Sequence, residues 1–468
     1  MKTNKSIHFV GIRGVGMTPL AIIAKEAGFK ISGCDIDEEF ITDEVLAKAK
    51  ISPLVGFSPD HIGQADLVIT TGAHGGFDNP EVALAKQRGI TVWTQGQALA
   101  EFMKGEIFER QFETVAVAGS HGKTTTTAMI ATILKANRTD PSFLIGTGNI
   151  PYLETDGHFG KGRFFIAEAD EYATEPTYDK TPKFLWLHPN ILVITNIELD
   201  HPDLFVDVEQ LSLAFLTFAK NVKDKIVVCM DDEEVKRIKN KISAPVITYG
   251  FSKDADFVIE KVSMSKEGMF FWVSNKNTNL GEFMLNVTGE HNALNALAAT
   301  VTCLELGISI ENIKKGLALF NGTKRRFEFV KKLHSGAMLF DDYAHHPTEI
   351  KKTLSAFQKT YPDKKILCIF QPHTYSRTKK LFEQFVNSFT QANETIFVDI
   401  YSSLREKPDS SISSLLLKER ILAKGQKVDY FSNLPDMVEY VADKKYDDKW
   451  IILTMGAGDI YKIANSLN

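Results

Sequence analysis

Val115-Ala-Val-Ala-Gly-Ser-His-Gly-Lys-Thr-Thr-Thr-Thr127 is the stretch from which the fold is read. Four small apolar residues run into a turn bounded by Gly119 and Gly122, and Lys123 and Thr124 open a segment that reads as helix through Ala136. A strand, a turn of exposed backbone N–H groups and a helix N-terminus together form a phosphate cradle. In such a cradle Lys123 supplies a point charge to the β- and γ-phosphates, and the Thr124 hydroxyl faces Mg2+. The common phosphate loop sets four residues between its first glycine and the Gly-Lys pair. Here only Ser120 and His121 separate Gly119 from Gly122, which points to a distinct subclass of triphosphate-binding proteins. The competing reading is a glycine-rich turn with an exposed lysine.

Around this loop stand 468 residues, a length that suggests roughly three domains. Hydrophobic residues make up 44% and charged residues 24%, the balance of an ordinary globular chain with material for several cores. A net charge of −5 argues against nonspecific binding to nucleic acid. The apolar run at residues 7–10 stops at Gly11, too short for a signal-peptide core, and no stretch approaches a membrane-spanning length. Cys34, Cys229, Cys303 and Cys368 lie far apart inside apolar segments, without metal-ligand spacing. Buried free thiols in a reducing cytoplasm are expected.

Three α/β units follow from the alternation of short apolar runs with helical patterns. In the first, strands are expected at residues 7–10, 30–34 and 67–70, with helices over 17–27 and from Pro80 to Arg88. Its turn, Gly11-Ile-Arg-Gly14-Val-Gly16, resembles a dinucleotide loop weakly, because Arg13 stands where the second glycine belongs. Asp35 ends the second strand and suits either a ribose hydroxyl or plain solvation. The second unit places parallel strands at 114–118, 164–167, 191–195 and 225–230. An antiparallel meander follows over 256–287, then helices over 289–307 and 310–320. The third has strands at 337–341, 365–371, 395–400, 428–431 and 450–454. The junctions are short, so hinged domains are expected rather than flexible tethers.

Acidic and imidazole groups cluster at the ends of these strands. Glu168-Ala-Asp170-Glu171 and Asn196-Ile-Glu198-Leu-Asp200-His201 each follow an apolar run, which places them at the carboxyl edge of a parallel sheet beside the loop. Glu168 and His201, supported by Asp200, are the candidate metal-site residues, since oxygen ligands suit Mg2+. Asn292 and Asn295 share one helix face and can read an adenine edge or cap the helix. Lys324-Arg325-Arg326 offers guanidinium groups to a phosphoryl group, or is a solvated basic turn. Asp341-Asp342-Tyr343-Ala-His345-His346-Pro-Thr-Glu349 and Phe370-Gln-Pro-His373-Thr-Tyr-Ser-Arg377 end two strands of the third unit and are expected to form one polar site.

Taken in chain order, the Gly119–Thr125 loop, Glu168–Glu171, Asn196 with Asp200-His201, His291-Asn292 with Asn295, Arg325–Glu328 and Asp342–Glu349 resemble the Mur ligases over essentially the whole chain. The resemblance implies an α/β protein of three domains, with mostly parallel sheets flanked by helices. Rossmann-like domains at 1–108, for a UDP-sugar, and 326–468, for an amino acid, would flank a central P-loop ATPase at 109–325. It implies a cytoplasmic, ADP-forming ligase of peptidoglycan precursor synthesis that joins L-alanine to the carboxylate of UDP-N-acetylmuramate through an acyl phosphate. ATP and Mg2+ would be required, nucleic acid and membrane insertion would not, and a monomer or homodimer is expected.

Carried over by position, Gly119, Ser120, His121, Gly122, Lys123, Thr124, Thr125, Asn292, Asn295 and Arg326 would bind ATP. Thr124, Glu168 and His201 would hold Mg2+. Lys123, His201, Asp342, His345 and Arg377 would serve catalysis, and Gly14, Gly16 and Asp35 the uridine nucleotide. Arg13 replaces a family glycine, and Thr374 stands where arginine is usual in the alanine-adding branch. Tyr172 and the segment 174–183, which looks inserted, resemble the related ligase for a recycled murein tripeptide. That ligase is the nearest rival reading. A non-catalytic nucleotide-binding regulator and a dinucleotide-dependent oxidoreductase are remoter ones.

Overall fold

A computed structural model describes residues 5–276, 278–402 and 406–467. Among the described residues three large sheets, beside one two-stranded pair, divide the chain. The first is wholly parallel, in the order Leu54–Val55, Lys30–Asp35, Ser6–Val10, Leu67–Thr70, Thr91–Thr94. The second has ten strands. Its parallel heart runs Val246–Gly250, Lys225–Cys229, Ile191–Ile194, Glu113–Ala118, Phe164–Glu168, Ser142–Leu144. The antiparallel meander Phe257–Ser265, Gly268–Asn275, Thr278–Leu285 extends one edge. The third sheet is parallel except for the antiparallel edge strand Glu328–Lys332.

The strands form where apolar runs can be covered on both faces, as parallel sheets require. All four residues of Ile191–Ile194 are buried, and so are the last five of Glu113–Ala118. Every strand read from the sequence is present within a residue or two. Those not read are mostly short, and several lie at sheet edges: Leu54–Val55, Thr91–Thr94, Ser142–Leu144, Gly157–His158, Val246–Gly250 and Glu328–Lys332. The segment that looked inserted folds as the antiparallel pair Ala173–Glu175 and Asp179–Pro182. It docks on the first unit, where the Tyr178 hydroxyl donates to Asp78 at 2.9 Å and its ring stacks on Phe77.

The two borders between units differ in kind. The first and central units share one apolar cluster, sealed by the rings of Phe102, Phe108, Phe159, Phe112 and Phe165. The C-terminal unit keeps its apolar clusters to itself. It meets the central unit through polar pairs such as Lys359–Glu290 at 2.7 Å and Thr360–Thr288 at 3.0 Å.

Inside the first unit the buried carboxylate of Glu81 gathers four donors. They are His8 at 2.9 Å, the Cys34 thiol at 2.9 Å, the Ser58 N–H at 2.9 Å and His61 at 3.0 Å. Burial opposes its charge, yet these donors hold its carboxyl below the usual range. Glu81→Ala strands several buried polar groups at once and should cost about 2–4 kcal/mol. Urea unfolding followed by far-UV circular dichroism should show a lowered midpoint; an unshifted one would mean that the network contributes nothing.

Candidate active site

The strand Glu113–Ala118 pairs with Phe164–Glu168 on one side and with the later strand Ile191–Ile194 on the other, so the strand order reverses across it. Ligands of open α/β sheets bind at such a switch point, outside the carboxyl ends of the strands. The loop there demands glycine twice. Gly119 has φ +136° and a Cβ would fall 2.1 Å from Thr195 Oγ1; at Gly122, φ is +80° and a Cβ would meet Asn295 Oδ1 at 2.4 Å. Side chains of the next strand end hold the loop. Asn196 Oδ1 accepts the His121 N–H at 2.9 Å, and the Ser120 hydroxyl donates to the Glu198 carbonyl at 2.6 Å.

Lys123 donates to Glu171 at 2.8 Å and to the Gly119 carbonyl at 2.6 Å. The Thr124 hydroxyl lies 3.0 Å from both oxygens of Glu168. His201 Nε2 stands 3.8 Å from Glu171 and 3.7 Å from Asp200, with its ring tilted against Tyr172. Burial lowers its pKa to about 4, which leaves a neutral imidazole suited to ligation. The three expected metal residues therefore fall into two groups. Thr124 goes with Glu168, whereas His201 joins Asp170 and Glu171, whose ligand atoms lie within 4.8 Å of one another.

A cleft of about 920 Å³, counted to its open mouth, lies between the central and C-terminal units; Gly122, Thr125, Asp231, Asn292, Asn295 and Arg326 help line it. Asn292 donates to the Thr288 carbonyl at 2.7 Å, and Asn295 reaches Asn292 Oδ1 at 3.3 Å. Of the two adjacent arginines only Arg326 faces the cleft, above the Tyr343 ring and 3.5 Å from Glu349. Arg325 is turned inward instead, onto Asp341 at 2.9 Å and the carbonyls of Gly456 and Gly458, so it braces its own unit. Asp342 accepts the N–H groups of Phe327 and Ala344, both at 2.8 Å, and burial raises its pKa to about 6 despite nearby Arg326.

Across the border, Arg377 Nε donates to Asp200 Oδ1 at 2.9 Å, and His345 Nε2 stands 3.5 Å from the same carboxylate. Arg377 is 3% exposed, so this is a buried pair, and it holds the Asp200 carboxyl well below its usual range against the effect of burial. Thr374 lies just before it with φ +69°, a strained value for a β-branched residue. In the first unit Asp35 is only 1% exposed. It accepts the Arg13 and Ile36 N–H groups at 2.8 and 2.9 Å, so its oxygens brace the turn from below rather than facing outward. Arg13 folds back onto the carbonyls of Ile36 and Glu38, which leaves Gly14 and Gly16 on the turn itself.

Sequence reading gave no role to Glu171, Glu198 or Glu349, although each stood in a quoted stretch. Spacing shows that a carboxylate lies at a strand end but not which cation it meets. A phosphate cradle at a switch point, faced by a unit bearing arginine and imidazole across a polar border, is the arrangement of a nucleotide-dependent enzyme.

Comparisons with known proteins agree. Three family models match in series: Mur ligase family, catalytic domain, at residues 6–106; Mur ligase middle domain at 117–303; and Mur ligase, glutamate ligase domain, at 325–458. The UDP-N-acetylmuramate–L-alanine ligase of Desulfitobacterium hafniense is 39% identical over 462 residues, 98% of this chain and 99% of that one. That of Acetivibrio thermocellus is 41% identical over 464 residues, 98% and 94% of the two chains. Among solved structures, the UDP-N-acetylmuramate-alanine ligase of Thermotoga maritima superposes with a TM-score of 0.81 at 28% identity, covering 98% of this chain and 97% of that one. A murein peptide ligase from Psychrobacter arcticus gives 0.71 at 25% identity, covering 99% and 98%. The chain belongs to the Mur ligase family. Use of ATP goes with that membership.

Lys123→Ala removes the cation from a cluster of buried carboxylates and from the phosphate site. ADP formation should fall by about a thousandfold or more, as for loss of a charge aimed at the transferring group, while UDP-sugar affinity is retained. Wild-type ADP release by the variant would refute the role.

Proposed function

We infer that this chain is an ADP-forming ligase that joins L-alanine to the carboxylate of UDP-N-acetylmuramate, a step of peptidoglycan precursor synthesis. The observation that carries the reading is the meeting of two half-sites: the Lys123 cradle on the central unit and the Arg377–Asp200–His345 group across the border. Near-full-length similarity to relatives bearing that name supports the choice of substrates.

A carboxylate is a poor acyl donor, and phosphorylation by ATP gives it a leaving group that an amine can displace. The geometry suits that division of labour. Lys123 and the loop N–H groups, with Ser120, His121, Gly122 and Thr125, hold the β- and γ-phosphates. Asn292 and Asn295 meet the adenosine end of the cleft, and Arg326 reaches the phosphates from the hinge. Gly14 and Gly16 let the uridine nucleotide approach the first turn, with Asp35 bracing it. Arg377 and His345 orient the amino acid beside Asp200, and Asp342 shapes the hinge turn on which Arg326 stands. Closure excludes water until the amine arrives.

The donor set fits Mg2+. Thr124 and Glu168 present oxygens side by side, and His201 with Glu171 offers a second position. When bound, the ion would neutralise charge on the phosphates. Among the described residues no helix is long and apolar enough to cross a membrane. A cytoplasmic monomer or homodimer completes the proposal.

Transfer of a tripeptide is the second reading, favoured by the hairpin Ala173–Pro182 and by the likeness to the murein peptide ligase. The higher TM-score of the alanine ligase and the names of the most similar relatives favour L-alanine. The test is ADP release with UDP-N-acetylmuramate and a panel of amines: L-alanine should exceed the tripeptide L-Ala-γ-D-Glu-diaminopimelate. The reverse order would move the chain to the tripeptide branch, and no ADP with any amine would sink the ligase reading. For the ion, His201→Ala should shift the magnesium dependence of ADP formation to concentrations about tenfold higher, in line with loss of a metal-site group. An unchanged titration would remove His201 from the metal site.

A further inference from the structure

Among the loop residues, His121 differs from the rest in what its side chain meets. Its ring is nearly buried. Nε2 lies 3.1 Å from Glu198 Oε2, and Nδ1 lies 3.1 Å from Glu349 Oε1, an ionic contact rather than an aligned hydrogen bond. Glu198 belongs to the central unit. Glu349 sits in the first turn of the helix Pro347–Thr360 of the C-terminal unit, where it also accepts the N–H of His345 at 3.1 Å and pairs with Arg326. Thr348 of that same turn donates its hydroxyl to Glu198, and the His346 ring lies 4.9 Å from that of His121. The phosphate loop is thus joined to the C-terminal unit through one imidazole between two carboxylates.

We propose that His121 is a positioning residue whose ring ties the phosphate loop to the helix Pro347–Thr360, so that the C-terminal unit closes only over a correctly set loop. The proposal rests on the ligase reading above and adds to phosphate binding a role in coupling the two half-reactions. Titratable groups face the ring from each element packed against it. Glu198 and Asp200 face it from the strand end, Glu349 from the helix, and neutral His346 from the turn before that helix. Burial opposes the proton, but Glu349 and Glu198 outweigh it and push the His121 pKa up to about 9. Both ring nitrogens therefore carry protons at neutral pH and serve both carboxylates together. Without the ring, Glu198 and Glu349 lose the cation between them and repel.

A border held less firmly admits water to the acyl phosphate. Water then takes the place of the amine at the acyl carbon, and the carbon–oxygen bond to phosphate breaks. The carboxylate is regenerated, with phosphate and ADP released and no amide formed. His121→Gln in the full chain tests this with ATP, Mg2+, UDP-N-acetylmuramate and L-alanine, ADP and amide being measured separately. Wild type should give close to one ADP per amide. The variant should give about three or more, as expected when closure no longer excludes water, with KM for L-alanine raised more than KM for ATP. Adding Glu349→Gln removes the repulsion and keeps a side chain able to accept the N–H of His345, so the ratio should fall back toward one. Should His121→Gln not fold, Glu198→Gln removes one of the two anchors and should raise the ratio as well.

A variant that stays coupled, or a double variant no better than the single, overturns the coupling role while leaving the ligase reading intact. Wild type that forms no ADP with these substrates overturns both.

Discussion

The ammonium of Lys123 is the charge on which the centre of the molecule depends. Glu168, Asp170 and Glu171 converge beside it from a single strand end, all within an environment that penalises ionised groups. Burial pushes Glu168 upward and Glu171 to about 7, and Lys123 pulls both down. Burial alone would lower the lysine, but the same carboxylates outweigh it and raise its pKa. Neither partner is tolerable without the other, because an unpaired buried charge costs several kcal/mol. The arrangement is also poised for exchange. With Glu171 near neutrality, an arriving polyanion meets a lysine whose present partner is held weakly as an anion. On the function proposed above, the charge that holds these carboxylates together is also the charge that would receive the phosphates.

The same constraint explains what the chain displayed in advance and what it concealed. Gly119, Gly122, Lys123 and the apolar run before them are local features, since backbone φ and a strand–turn–helix pattern are written in consecutive residues. The parallel strands of the central sheet were legible as apolar runs of the right length, whereas their order in the sheet was not. Short strands such as Thr91–Thr94 and Leu54–Val55 escaped because two to four half-exposed residues carry no period. Pairings across units escaped for another reason. Nothing in Asn196–His201 says that Asp200 reaches Arg377, or that Glu198 and Glu349 take opposite sides of His121. Such partners are set by how whole units pack, as with the neighbouring arginines, where a φ of +60° turns Arg325 inward and leaves Arg326 at the cleft.

The contrast between the two borders then gives the site its direction of movement. Aromatic rings and a shared apolar cluster join the first unit to the centre, so parting them would expose large apolar area, at roughly 25 cal/mol for each Å². The border with the C-terminal unit holds ion pairs and hydroxyl contacts, whose polar groups water would solvate again on opening. On the function proposed above, such a molecule would keep the nucleotide-sugar platform fixed against the phosphate loop and swing the acceptor-bearing unit. That asymmetry matches the order of the chemistry. In that proposal the acid and the triphosphate would meet in fixed register for phosphoryl transfer, and the amine would enter through the border that opens more easily. With Arg377, His345 and Glu349 on the C-terminal side of that border, closure would itself be the event that completes the proposed site.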